Sequence, residues 1–265
     1  MNTIERAMRL VKGGVDAAPV TPREIERPVL EVDLGALRRR GFLVPDAASS
    51  SLSEQFQQVK RRLIDNLATR TASAHRAANL VMITSALPGE GKTWFCLNLA
   101  MSLAREIDRT VLAIDSDGVN SGLGRLLGVT RRPGLYEALA DPALDLGDLI
   151  LRTNVPTLSF LPAGVARDTV TERLASQAMV QLAQEIAARY PDRLVLFDAP
   201  PVLAASGAAA LAAHVGQVVL VVEAGRTTAD TLRRTVGMLA HTEISGAVLN
   251  KVRTRPRPLY AARPA

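Results

Sequence analysis

Residues 80–93 read Leu-Val-Met-Ile-Thr-Ser-Ala-Leu-Pro-Gly-Glu-Gly-Lys-Thr: an apolar run, then a glycine-bearing loop, and an apolar helical pattern follows. A strand that enters such a loop and leaves it as a helix has the layout of a phosphate-binding P-loop, here with Ala86 where the first glycine usually stands. Glycines let successive backbone N–H groups curl around a phosphate, and the helix N-terminus adds the positive end of its dipole. Lys92 is expected on the β- and γ-phosphates of a nucleotide, and the Thr93 hydroxyl on Mg²⁺. Pro88, Gly89, Glu90, Gly91, Lys92, Thr93 and Trp94 form the expected nucleotide-binding stretch. The same residues without a ligand would be a glycine-rich turn, but the intact Gly-Lys-Thr in this strand–loop–helix context favours a nucleoside triphosphate.

At 265 residues the chain has the size of one α/β domain with an appended segment, and 48% of it is hydrophobic while only 3% is aromatic. A core of Ala, Leu and Val suits helices packed on a parallel sheet. Cys96 is the single cysteine, which excludes an intramolecular disulfide and agrees with a reducing compartment. Three residues past Thr93, it reads as a buried structural thiol. The N-terminus lacks the apolar core of a signal peptide, and Asp198, Pro200, Pro201 and His214 interrupt the longest apolar candidate for a membrane span. The expectation is a soluble, cytoplasmic protein. Net charge is +6, and five basic residues with no acidic one lie from Lys251 onward. Such a tail could touch anionic lipid or nucleic acid, but charges broken up by prolines are more often a solvated, disordered end. No nucleic-acid partner is expected.

Along the chain, residues 2–12 suggest a short amphipathic helix, and 13–50 reads as a Gly-, Pro-, Ala- and Ser-rich linker with little core. A helix capped by Ser51 or Ser53 then carries Leu52, Phe56, Val59, Leu63 and Leu67 on one face and Glu54, Lys60, Arg61 and Asp65 on the other. The P-loop domain is taken as 51–252, and 253–265 as a disordered basic tail. Continuous apolar runs predict strands at 80–85, 110–114, 157–161, 193–197, 217–222 and 245–249, with helices between them, most clearly at 170–189 and 226–240. Right-handed crossovers then give an α/β, doubly wound, mostly parallel sheet with helices on both faces and ligands at the carboxyl ends of its strands.

Two further strands end in carboxylates: Val111-Leu-Ala-Ile-Asp115-Ser-Asp117 and Leu194-Val-Leu-Phe-Asp198-Ala-Pro-Pro201. At i and i+2 past a strand end, Asp115 and Asp117 can both reach the γ-phosphate region, one holding a Mg²⁺-bound water while the other accepts a proton from an attacking hydroxyl. Asp198 fits the carboxylate on the metal side. Any one of these alone would read as a turn or cap residue; three in one P-loop chain point to the nucleotide. His75, His214 and His241 show no ligand spacing.

Together, Ser85–Thr93, Ile114-Asp-Ser-Asp117 and Phe197-Asp-Ala-Pro-Pro201 resemble Walker A, Walker A′ and Walker B of the bacterial tyrosine kinases. Within that family the chain is most similar to the tyrosine autokinases of exosortase-linked exopolysaccharide clusters. Supporting stretches are Ile4-Glu-Arg-Ala7, Asn98-Leu-Ala-Met-Ser102, Leu151-Arg-Thr-Asn154, Leu161-Pro-Ala-Gly164 and Val222-Glu-Ala-Gly225. The resemblance implies a cytoplasmic enzyme that transfers the γ-phosphate of ATP, with Mg²⁺, to protein tyrosines, first on its own tail. Lys92, Asp115 and Asp117 become the catalytic residues, Thr93, Asp115 and Asp198 the metal side, and Tyr260 the phosphoacceptor. A homo-oligomer is implied, as is a separate membrane-anchored polysaccharide co-polymerase that activates the kinase and recruits it to the inner face of the plasma membrane.

The chain departs from the family pattern in three places. Val119 stands where Walker A′ usually continues with Arg. Glu54, Gln57 and Lys60 replace the usual Glu-x-x-Arg-x-x-Arg of the oligomerisation helix, assigned here to 51–68. One tail tyrosine replaces a cluster. Two other readings stay open: an ATP-binding regulatory subunit of the polysaccharide machine, and a partition- or division-type ATPase, which would carry Lys where Leu87 stands. For Asn250, after the last strand, two readings are also open, adenine recognition by its amide or a strand-end turn.

Overall fold

The computed structural model describes residues 29–46, 50–70, 77–106, 108–165, 169–240 and 242–253. The expected helix at 2–12 and Tyr260 lie outside the described residues. Eight strands form one sheet: β1 Val29–Leu30, β2 Leu80–Ser85, β3 Thr110–Asp115, β4 Leu151–Thr153, β5 Leu158–Leu161, β6 Arg193–Asp198, β7 Gln217–Glu223 and β8 Ile244–Asn250. Their order is β1-β4-β5-β3-β6-β2-β7-β8. All neighbouring pairs are parallel except β4 with β5. The α/β, mostly parallel sheet read from the apolar runs is the fold observed, and all six expected strands are present within a residue or so at each end.

Alternate residues of each buried strand feed two cores. Val81, Ile83, Val111, Ala113, Leu194, Leu196, Val219 and Val221 face one side, and Leu80, Met82, Leu112, Ile114, Val195, Phe197 and Val218 the other. The first side is covered by α1 (Leu34–Arg39), α2 (Ser51–Arg70) and α3 (Lys92–Leu103). α3 is apolar around most of its circumference because it lies between the sheet and α2; ten of its twelve residues are buried. The second side is covered by α7 (Val170–Leu174), α8 (Gln177–Arg189) and α9 (Ser206–Ala212). Short helices α4 (Gly122–Leu126), α5 (Leu135–Ala138) and α6 (Leu146–Leu149) follow β3, and α10 (Ala229–Met238) joins β7 to β8. Among the described residues, no helix is long and apolar enough to cross a membrane.

Four expectations need correction. The stretch 13–50 is not a linker with little core in its second half. There β1 pairs with β4, and Val32, Leu37, Phe42, Leu43 and Val44 enter the first core. Two amides hold it: Asn154 bonds both N–H and C=O of Val32 at 3.1 Å, and Asn98 accepts from Leu43 N–H at 2.7 Å. A two-residue strand and a six-residue helix leave no periodicity to read, and their partners are distant in sequence. Second, the helix expected at 170–189 is two helices, because Ser176 breaks out of helical geometry and caps α8 by accepting from Met179 N–H. Third, α2 is capped by Ser50, whose hydroxyl accepts from Ser53 N–H. Fourth, Lys60 is not on a solvated face. It is 4% exposed, and its ammonium pairs with Glu106 beyond the end of α3.

Leu37, 2% exposed, tests the first correction. Leu37→Ala is expected to cost about 2–4 kcal/mol in urea unfolding; in a linker the same change would cost about 0.5 kcal/mol or less.

Candidate functional site

The P-loop leaves the end of β2, in the middle of the parallel sheet. Gly89 and Gly91 take φ of +84° and +97°, which L side chains rarely adopt, so glycine is required at both turns. A Cβ on Gly91 would also collide with the Asn250 amide nitrogen. The side chain of Glu90 is fully buried beneath the loop. It accepts from Leu87 N–H at 2.7 Å and from the Thr227 hydroxyl, so this carboxylate shapes the loop rather than facing solvent. The indole of Trp94 sits against Phe42 and Phe56, with ring centroids 6.2 and 6.0 Å away, and belongs to the α2–α3 contact. The Asn250 amide nitrogen donates to the Glu90 carbonyl at 2.9 Å. Glu90, Trp94 and Asn250 therefore all use their side chains on the protein itself.

Sheet order brings the three strand-end carboxylates together. β6 lies between β2 and β3, and Asp198 is in register with Ile83 on one side and Asp115 on the other. Lys92, in the first turn of α3, donates to Asp117 Oδ2 at 2.8 Å and lies 3.7 Å from Asp198 Oδ1. Asp115 accepts from Asp117 N–H at 3.2 Å and from Gly124 N–H at 3.0 Å, and Asn120 braces Asp117 at 3.2 Å. All three carboxylates are at most 1% exposed.

Crowding them out of water changes their acidity. Burial, reinforced by neighbouring Asp198, raises Asp115 to about 7. Burial also raises Asp198 to about 6, against the pull of Lys92. Burial disfavours the charged form of Lys92, but Asp198 and Asp117 outweigh it and hold the ammonium above its ordinary value. Both carboxylate oxygens of Asp198 are buried without a close hydrogen bond; Lys92, 3.7 Å away, and the Thr93 hydroxyl are the donors that face this carboxylate. Such a group calls for a cation or a donor. No group of three His, Cys, Asp or Glu side chains able to hold a metal occurs among the described residues. A cation placed here would draw its remaining ligands from phosphate oxygens and water, which is the habit of Mg²⁺. Asp198, buried and without a close hydrogen bond, together with Thr93 fits that ion.

Several neighbours of the site had no sequence signal. Tyr136 donates to the Ser116 carbonyl at 2.8 Å, and its ring covers Gly118, where a Cβ would collide with it. Burial pushes its phenol above the ordinary range. Arg226 and Lys251 reach the P-loop from the ends of β7 and β8. Val119, which the sequence had marked as a departure two residues past Asp117, is 80% exposed.

Comparison with known proteins adds the following. The tyrosine-protein kinase YwqD of Bacillus subtilis is 29% identical over 223 residues, 83% of this chain and 90% of that protein. The kinase domain of VpsO, a solved structure, is 31% identical with a TM-score of 0.60, covering 77% of this chain and all of that one. This chain belongs to the bacterial tyrosine kinase family. A further relative, the succinoglycan biosynthesis transport protein ExoP of Rhizobium meliloti, is 32% identical over 224 residues. That match covers 83% of this chain but 27% of ExoP, and the chain spans about a quarter of the length of several curated relatives it matches. No protein-family model matches the chain.

The raised carboxyls predict how the protein without nucleotide responds to pH. A carboxyl raised by folding adds stability while protonated, in full below its unfolded value of about 4. That stability is lost as pH rises through about 6 and 7 for Asp198 and Asp115. Urea unfolding is expected to show lower stability at pH 8 than at pH 5, by roughly 1–3 kcal/mol. Asp198→Asn should flatten that slope and raise stability at pH 8; an unchanged slope in this variant would show that Asp198 is not the source.

Proposed function

We propose that this chain is an ATP- and Mg²⁺-dependent protein-tyrosine kinase that phosphorylates itself and regulates exopolysaccharide polymerisation or export. The observation that carries the proposal is Lys92 on the P-loop helix, held by Asp117 and Asp198 with Asp115 in the same buried cluster. That group has a phosphate-binding cation, a metal-side carboxylate and a candidate base within one site. The polysaccharide role follows the name of ExoP and the family resemblance.

In this reading Lys92 exchanges Asp117 for the β- and γ-phosphate oxygens, so the ion pair of the free site becomes a phosphate contact. Thr93 and Asp198, with Asp115 beside them, would hold Mg²⁺, which neutralises charge across the β- and γ-phosphates when bound. Asp115, poised near neutrality, takes the proton of the acceptor tyrosine, and Asp117 stands beside it. The tyrosine oxygen bonds to the γ-phosphorus as the bond to the β,γ-bridging oxygen breaks, and ADP leaves. The acceptor is Tyr260. The family resemblance further supports a homo-oligomer of the exosortase-associated type, and a separate membrane-anchored co-polymerase that recruits the kinase to the membrane. With Lys60 committed to Glu106 inside the chain, α2 offers other groups than that lysine to an oligomer contact.

A second reading has one observation in its favour: exposed, apolar Val119 occupies the place of the family's Arg. It makes the chain an ATP-binding regulatory subunit without phosphotransfer.

Purified protein given Mg-ATP is expected to acquire phosphotyrosine by mass spectrometry, and Lys92→Met to abolish it. Asp115→Asn should lower the rate about 100-fold or more. Wild type that binds ATP yet gains no phosphotyrosine, even with the partner's cytoplasmic segment, decides for the regulatory subunit. Undiminished phosphotyrosine in Tyr260→Phe would move the acceptor elsewhere.

A further inference from the structure

Three consecutive carbonyls of the P-loop are each held by a different side chain from the ends of β7 and β8. Arg226 donates to Pro88 O at 3.1 Å, Lys251 to Gly89 O at 2.7 Å, and Asn250 to Glu90 O at 2.9 Å. Glu223 Oε2 lies between the two cations, 3.0 Å from Arg226 and 3.1 Å from Lys251, and keeps both turned toward the loop. Lys251 has φ of +57°, a conformation uncommon outside glycine, in the residue that puts its ammonium on Gly89. On the inner side, Glu90 is fixed by Leu87 N–H and Thr227.

In a trans peptide the C=O of one residue and the N–H of the next point in opposite directions. No cis bond occurs among the described residues. Holding the carbonyls of Pro88, Gly89 and Glu90 on one side therefore aims the N–H groups of Gly89, Glu90 and Gly91 to the other. Three converging N–H groups are an anion nest, and left free this glycine-containing loop would have to be ordered by its ligand at an entropic cost.

We propose that Arg226, Asn250 and Lys251 are positioning residues for phosphate binding: a clamp on the P-loop carbonyls that sets the nest before the nucleotide arrives. This rests on the triphosphate reading of the loop. It also assigns Asn250 to the phosphate end of the nucleotide rather than to the base. Arg226 and Lys251 are surface residues, so substituting them leaves the cores intact, and the clamp acts on binding rather than on transfer.

The two roles for Asn250 separate on a ligand without a base. Mg-tripolyphosphate and Mg-ATP are titrated into full-length wild type, Arg226→Ala, Asn250→Ala, Lys251→Gly and Lys251→Arg by calorimetry, with thermal unfolding of each free protein alongside. Lys251→Gly keeps the left-handed backbone accessible while removing the ammonium. The expected result is a loss of about tenfold for both ligands, by the same factor, in the first three variants. Free-protein melting temperatures should lie within about 3 °C of wild type, and Lys251→Arg should bind within about twofold of wild type, since it keeps a donor at this carbonyl. In steady-state assays the loss should fall on KM for ATP, with kcat within about twofold. If Asn250→Ala weakens ATP but not tripolyphosphate, the amide reads the base and the clamp is overturned. Variants that match wild type on both ligands overturn the clamp alone. Wild type that binds neither ligand overturns the triphosphate reading and the clamp with it.

Discussion

One lysine among three buried carboxylates is the constraint on which this site depends. Asp115, Asp117 and Asp198 are all out of water, and at close range they repel one another. Lys92 is the cation that makes the arrangement tolerable. Even so, it does not fully compensate: two of the carboxyls remain raised, and both oxygens of Asp198 lack a close hydrogen bond. The free protein thus stores an electrostatic deficit at the carboxyl ends of β2, β3 and β6. A magnesium–triphosphate complex has the opposite pattern, a dication for the carboxylates and an anion for the lysine, so on the proposed reading its binding would relieve both sides of that deficit.

The parallel sheet is what allows such a deficit to persist. β2, β3 and β6 are buried on both faces, and their aliphatic side chains anchor the strand ends firmly enough to hold like charges in register. α3 begins where β2 ends and is buried nearly all round, so the direction of Lys92 is set by packing. The P-loop itself has little core of its own. It is held instead by polar contacts from β7, the loop after it and β8, with Glu90 beneath and Arg226, Asn250 and Lys251 above.

Much of this was legible in the chain because its signals are local. The apolar runs at 80–85 and 193–197 mark strands buried on both faces, and Gly89 to Thr93 mark the loop by residue type alone. What escaped was of two kinds. Elements too short for periodicity, such as Val29–Leu30 and Leu34–Arg39, depend on partners far along the chain: β1 pairs with β4, and Val32 and Leu43 beside the two elements are held by the amides of Asn154 and Asn98. Side-chain direction also escaped. Glu90 and Trp94 sit within or beside the motif and Asn250 at the end of the last strand, yet each turns to a protein partner, and Lys60 reads as a surface lysine although it is buried on Glu106.

By itself, the sequence determined the strand–loop–helix unit, the parallel α/β class and the identities of Lys92, Thr93, Asp115, Asp117 and Asp198, because a glycine-rich loop and a carboxylate after an apolar run are properties of neighbouring residues. Only the tertiary structure decided that Asp198 lies between Asp115 and the P-loop, that Lys92 pairs first with Asp117, and that Arg226 and Lys251 belong to the loop at all. Those facts depend on strand order, and strand order comes from how two hydrophobic faces are covered, which no single segment encodes.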